Sequence, residues 1–159
     1  MKAGGGRQKG AQFERDIAKA LDEALGIKFH RNLRQYQKAG LDDLTREDGK
    51  AFPFMLELKR YGQGTSSQPA WWDQICAAAR SADNEHDSFP ALIYKYDRQP
   101  IRCRVPLQAV ADLGKFGVQQ GEDKYDWRYA VEMDWDTFMM VCRELLADVL
   151  WGEKNEKRL

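Results

Sequence analysis

Apolar residues recur every four positions at Phe13, Ile17, Leu21 and Leu25, with Ala18, Ala20 and Ala24 beside them. That spacing places them on one helix face, so it predicts an amphipathic helix over 11–25, which Gly26 is placed to end. The glycine-rich, basic stretch before it has no apolar stripe, and residues 1–10 are expected to form a flexible basic arm. Ile27–His30 and Leu41–Leu44 have the length of short strands. Between them, Asn32–Gly40 is polar and basic, hence exposed, and Thr45–Lys50 reads as a turn. The run Ala51–Lys59 is the most strand-like in the chain, apolar on both faces until Glu57.

Beyond a loop over Tyr61–Ser67, an alanine-rich helix is predicted from Pro69 to about Ala82, with Pro69 in its first turn and Ser66 or Ser67 as its cap. Pro90–Tyr96 and Ile101–Val105 read as strands joined by a hairpin at Asp97–Pro100. A short helix over Pro106–Leu113, a polar insert over Gly117–Trp127 and a late strand over Tyr129–Met133 follow. Asp134 can cap a last helix whose stripe is Phe138, Cys142, Leu145, Leu146, Val149 and Leu150. It runs to Trp151, and residues 152–159 form a charged tail. The order helix, strands, helix, strands, helix implies an α/β sheet covered by helices rather than a bundle or sandwich.

At 159 residues the chain has the length of one domain. No stretch is long enough for a membrane span, and the start lacks the apolar centre of a signal peptide. Cys76, Cys103 and Cys142 have neither zinc spacing nor a disulfide framework, which points to a reducing, cytoplasmic compartment.

Net charge is zero, with 25 basic and 25 acidic residues, which taken alone disfavours nucleic acid. The distribution changes that picture. Residues 1–61 hold 13 Lys/Arg against 9 Asp/Glu, and the remainder holds 12 against 16. A basic segment around a few acids suits an enzyme that holds a metal and binds a polyphosphate, although an uneven solvated surface gives the same count.

Three acid-x-lysine triplets occur, about as many as chance gives: Asp48-Gly49-Lys50, Glu57-Leu58-Lys59 and Glu122-Asp123-Lys124. Only Glu57 and Lys59 lie at the end of an apolar strand, where positions two apart share a face. They are either a strand-end ion pair or part of a site, because buried charges must pair or bind something. Asp42-Asp43 lies one strand upstream and could add a second carboxylate, giving hard oxygen ligands suited to Mg²⁺. Glu14 sits at the margin of the first helix's apolar stripe, facing either the fold or solvent. Gln74, among Ala70, Ala77 and Ala78, is expected to approach the sheet from the second helix. Two isolated histidines, His30 and His86, do not supply a histidine-based nuclease site, and His30 reads as structural.

Together, Gly10-Ala11-Gln12-Phe13-Glu14-Arg15, Gly40-Leu41-Asp42-Asp43-Leu44, Met55-Leu56-Glu57-Leu58-Lys59-Arg60-Tyr61 and Trp71-Trp72-Asp73-Gln74 resemble the motifs of the PD-(D/E)xK nuclease superfamily. Within it they are most similar to phage and archaeal Holliday-junction-resolvase-like endonucleases. The likeness covers about residues 7–105 and departs from the pattern in having no proline before Asp42 or Asp43. It implies a restriction-endonuclease-like αβββαβ core with a central mixed sheet. The nuclease domain would then span 11–151, its core about 11–105, with 106–151 a C-terminal helical elaboration.

The resemblance also implies the chemistry. Asp43, placed before Leu44, and Glu57 would hold one or two Mg²⁺ ions, with Mn²⁺ able to substitute. The Leu58 carbonyl would be a further ligand, and Glu14 would bind directly or through water. Lys59 would orient and help deprotonate the attacking water, and Gln74 would position the water or the phosphate, leaving a 5′-phosphate and a 3′-hydroxyl. Arg7, Lys9, Arg15, Arg31, Arg34, Lys38 and Arg60 would track phosphates of branched or duplex DNA. Tyr36 and Tyr61 are either DNA contacts or scaffold, and at most one of Trp71 and Trp72 is expected to face the core fully. A homodimer follows from the two-fold character of four-way junctions. The rivals are a non-catalytic DNA-binding accessory module on the same fold and a nuclease of other specificity, exonuclease or restriction-like.

Overall fold

The computed structural model describes residues 5–33, 42–111 and 123–156, with side chains as far as Asp148. Among the described residues three α-helices, α1 (Gly5–Leu25), α2 (Pro69–Arg80) and α3 (Trp135–Glu156), flank one sheet. Its strands are β1 (Phe29–Arg31), β2 (Leu44–Arg46), β3 (Phe54–Tyr61), β4 (Phe89–Tyr96), β5 (Arg102–Pro106) and β6 (Ala130–Asp134), lying side by side in chain order. Every pairing is antiparallel except β3 with β4, which run parallel from Phe54 opposite Phe89 to Tyr61 opposite Tyr96. A parallel neighbour needs a crossover, and α2 supplies it.

Alternation along β3 divides the core. Phe54, Leu56 and Leu58 pack with Phe13, Ile17 and Leu21 of α1 and with Phe138 and Cys142 of α3. Met55 lies on the other face, with Trp72, Ile75 and Ala79 of α2 and Leu92 and Tyr94 of β4. The helix-covered α/β sheet is the one that the element order predicts, and its mixed pairing is what the resemblance implies.

Several boundaries differ from those read off the sequence. Helix α1 begins at Gly5 rather than Ala11, so residues 5–10, expected as part of a flexible arm, are helical. The turns before Phe13 bury nothing apolar, and Lys9 anchors them by pairing with Asp97, 2.9 Å away, at the end of β4. Strand β2 covers Leu44–Arg46, part of which was expected as a turn. Arg46 pairs opposite Phe29 and its guanidinium binds Asp48 and the Ala51 carbonyl, so the turn is confined to the residues just after it. Neither Ser66 nor Ser67 caps α2. Gln68 occupies that position without a side-chain bond, while the Ser67 hydroxyl donates to Glu132 at 2.5 Å. Trp71 and Trp72 are both buried, not one of the two, because each adjoins a different part of the same aromatic layer. The end of the expected polar insert is also packed: Tyr125 is buried and its carbonyl accepts the Trp72 indole N–H at 2.7 Å.

The C-terminal part is integral to the sheet. β6 pairs with β5 over five positions, and Phe138 and Cys142 of α3 are fully buried. Asp134 caps α3 as the sequence indicates, accepting the Thr137 N–H at 2.7 Å. Asp134→Ala is expected to lower the urea-denaturation midpoint, with the native fold retained.

Candidate active site

The site forms where β2 parts from β3. The two strands register only at Leu44 opposite Leu56. Just before this pair the Asp43 N–H donates to the Leu56 carbonyl at 2.8 Å. At the next step up β3, where a strand partner would sit, the Asp43 carboxylate itself accepts the Leu58 N–H at 2.6 Å. Asp43 thus closes the fork of the ladder with a side chain. In a strand the N–H and C=O of one residue point the same way, so the Leu58 carbonyl also faces this fork.

Glu57 is 2% exposed on the opposite face of β3 from Leu56 and Leu58. Lys59 emerges two residues on, its ammonium 3.2 Å from the Glu57 carboxylate. Glu14, buried on α1, is held by Arg31 of β1 at 2.5 Å. Carboxylates from α1, the entry to β2 and β3 thereby lie within one another's electrostatic field. Burial is the main cause raising Asp43 to about 7, with the charge of Glu14 adding to it and the Leu58 N–H and Lys59 opposing it. Glu57 is pushed up to about 8, first by burial and then by the charge of Asp43, with Lys59 opposing.

Asp42 turns elsewhere. It lines a cavity with Phe29, Thr45, Met55 and His86. Burial raises it to about 6 against its hydrogen bonds, Asn32 supplying one of them.

Among the described residues, no set of three or more His, Cys, Asp and Glu side chains converges closely enough to hold an ion as the side chains stand. Leu58, Lys59 and Arg31 each hold one of the carboxylates. The donor chemistry nonetheless fits a hard divalent cation: buried carboxylates that repel one another, with a backbone carbonyl aimed at the same fork.

The structure does not bring Gln74 to this place, contrary to the sequence expectation. The buried stripe of α2 is Trp71, Trp72, Ile75, Cys76, Ala78 and Ala79, which leaves Gln74 exposed on the outer side with Ala70 and Ala77. Of the basic residues, Arg7 and Arg15 are exposed on α1. Lys9 and Arg60 converge on Asp97, at 2.9 and 2.5 Å. Arg31 is committed to Glu14, while Arg34, Tyr36 and Lys38 lie outside the described residues. Sequence reasoning missed Asp97, which it placed only in a hairpin. No local motif marks a residue whose partners lie on α1 and β3.

A mixed sheet with a buried aspartate at the entry to one strand and Glu-x-Lys at the end of the next defines a PD-(D/E)xK-type nuclease core. The chain belongs to the family described as "Phage putative PDDEXK endonuclease", which matches residues 5–145. That match extends past residue 105 to include β6 and the first half of α3. Among solved structures the chain is similar to Archaeoglobus fulgidus Hjc, a Holliday junction resolvase from an archaeal hyperthermophile. The identity is 18% and the TM-score 0.44, over 85% of this chain and 88% of that one. Comparison with curated proteins finds no match. Among the described residues no helix is long and apolar enough to cross a membrane.

Proposed function

We propose that this endonuclease-family protein is a Mg²⁺-dependent DNA endonuclease, selective for branched structures, acting in recombination or repair in the cytoplasm of a bacterium or phage-infected cell. The observation that carries the reading is that buried Asp43 and Glu57 lie within one another's electrostatic field, with Lys59 paired to Glu57, where β2 parts from β3. Asp43, Glu57 and the Leu58 carbonyl would hold Mg²⁺ or Mn²⁺, with Glu14 completing the negative charge. When bound, the cation polarises the phosphoryl oxygen and steadies the leaving alkoxide. With a cation held by Glu57, Lys59 would be released from its pairing with that carboxylate. Its ammonium would then orient the attacking water and offset charge on the phosphate, and its neutral amine form would help take up the water's proton. Arg7, Arg15, Lys9 and Arg60 lie on α1 and β3 and would follow the phosphate backbone.

A homodimer would suit a two-fold junction. Met140 of α3 and Val110 are exposed apolar residues on one wall that such a dimer could cover. The test is a substrate panel of four-way junction, flap, linear end and plain duplex, each with Mg²⁺, Ca²⁺ or EDTA. The junction is expected to be cut at least tenfold faster than the duplex, in Mg²⁺ only. Binding in Ca²⁺ with no cutting of any substrate in Mg²⁺ would instead identify an accessory module.

A further inference from the structure

Tyr61 ends the strand that carries Glu57 and Lys59 and shares their face. Tyr61 is 46% exposed. One side of its ring lies flat on Trp71, with ring centroids 5.1 Å apart and planes within 1°. Trp71 is itself buried and wedged against Tyr94 and Tyr96, at 6.0 and 6.2 Å. Tyr61 is thus the outermost ring of a fixed aromatic layer.

The loop that follows does not cover it. Gly64 lies so close to Tyr96 that a Cβ there would fall 2.3 Å from the ring, at a φ of +150°. The Gly64, Thr65 and Ser66 carbonyls accept bonds from Gln99, Arg102 and Tyr96, at 2.7, 3.0 and 2.7 Å. These contacts tie the loop to β4 and β5. Beside the Tyr61 backbone, the Arg60 guanidinium donates to the Tyr61 carbonyl at 2.9 Å and, with Lys9, pairs with Asp97.

We propose that Tyr61, stacked on Trp71, is the platform on which a base left unstacked at the branch point of junction DNA stacks, and that it sets the preference for branched over continuous duplex substrate. This rests on the nuclease reading and deepens it. An exposed aromatic face recognises any base by stacking but cannot reach one inside an intact duplex. Tyr61 follows Lys59 by two residues, about 7 Å along the strand backbone and on the same face, so a base held on its ring would set the adjoining phosphate beside the candidate active site.

The test uses a four-way junction and a duplex of the same sequence, each with 2-aminopurine at the matching position. Both are bound in Ca²⁺ and then cut in Mg²⁺ under single-turnover conditions. Wild type is expected to quench the junction probe and not the duplex probe. Tyr61→Ala should weaken junction binding about 5- to 100-fold and lose the quench, while duplex binding changes less than about twofold. Tyr61→Leu still covers Trp71 but has no π face, so it should behave like Tyr61→Ala. Tyr61→Phe and Tyr61→Trp should behave like wild type. Equal loss on both substrates, or a Tyr61→Leu protein that keeps the quench and the preference, overturns the platform and leaves the nuclease reading intact. Failure of wild type to bind either DNA overturns both.

Discussion

Glu57→Gln is expected to abolish cleavage and at the same time raise the stability of the metal-free protein, whereas Lys59→Met should abolish cleavage and lower it. Each removes a charged group from the reacting centre, a loss of about 10²–10³-fold or more in rate. The stabilities diverge because the buried carboxylates repel one another. Asp43 rises from 3.8 to about 7 and Glu57 from 4.5 to about 8 on folding, so the native state binds more protons than the unfolded chain between about pH 4 and pH 8. By linkage, metal-free stability falls as pH rises through that window and levels off beyond it. Glu57→Gln removes one charge and flattens the fall, raising the melting temperature at pH 8 by about 2–8 °C, or ~1–2 kcal/mol. Lys59→Met leaves Glu57 without its 3.2 Å partner and lowers it by a similar amount. Melting curves in EDTA at pH 5 and pH 8 check both signs. Added Mg²⁺ should restore wild-type stability at pH 8 and have little effect on Glu57→Gln.

Asp43 is expected to separate fold from chemistry in a different way. Its carboxylate accepts the Leu58 N–H at the point where β2 leaves β3, so it carries structure as well as charge. Asp43→Ala strands a buried donor, at a cost of about 2 kcal/mol, and opens the fork. Asp43→Asn keeps a carbonyl oxygen for that donor and removes the repulsive charge. Both variants should lose cleavage by about 10²–10³-fold. The Asn variant should melt about 4–8 °C above the Ala variant at pH 8. Hydrogen exchange at the Leu58 amide should accelerate in the Ala variant alone. Equal melting and exchange in the two would show that the Asp43–Leu58 bond contributes nothing to the fold.

The element order was legible because it rests on periodicity, from the Phe13–Leu21 stripe to the apolar run before Glu57. What failed to show was tertiary. The extension of α1 to Gly5 depends on Lys9 reaching Asp97, a partner 88 positions away. Burial of both tryptophans depends on aromatic neighbours from β4 and on the chain around Tyr125 and Trp127. Gln74 was misplaced because alanines were read as an inward face, when the tryptophans and Ile75 of the same helix take that role. Glu57 and Lys59 stood out because an apolar strand rarely ends in two charges. Asp43 could be named from sequence, but its second task, closing the ladder at Leu58, belongs to the register of two strands.

The central claim is that Asp43 and Glu57 form the centre at which DNA is cut with a divalent cation. It is tested most directly by the cleavage rate of one four-way junction in Mg²⁺ by wild type and by Glu57→Gln, with both shown to be folded. The account predicts cutting by wild type that EDTA stops, and a rate at least about 10²-fold lower for the variant. A folded Glu57→Gln protein that cuts as fast as wild type would contradict it.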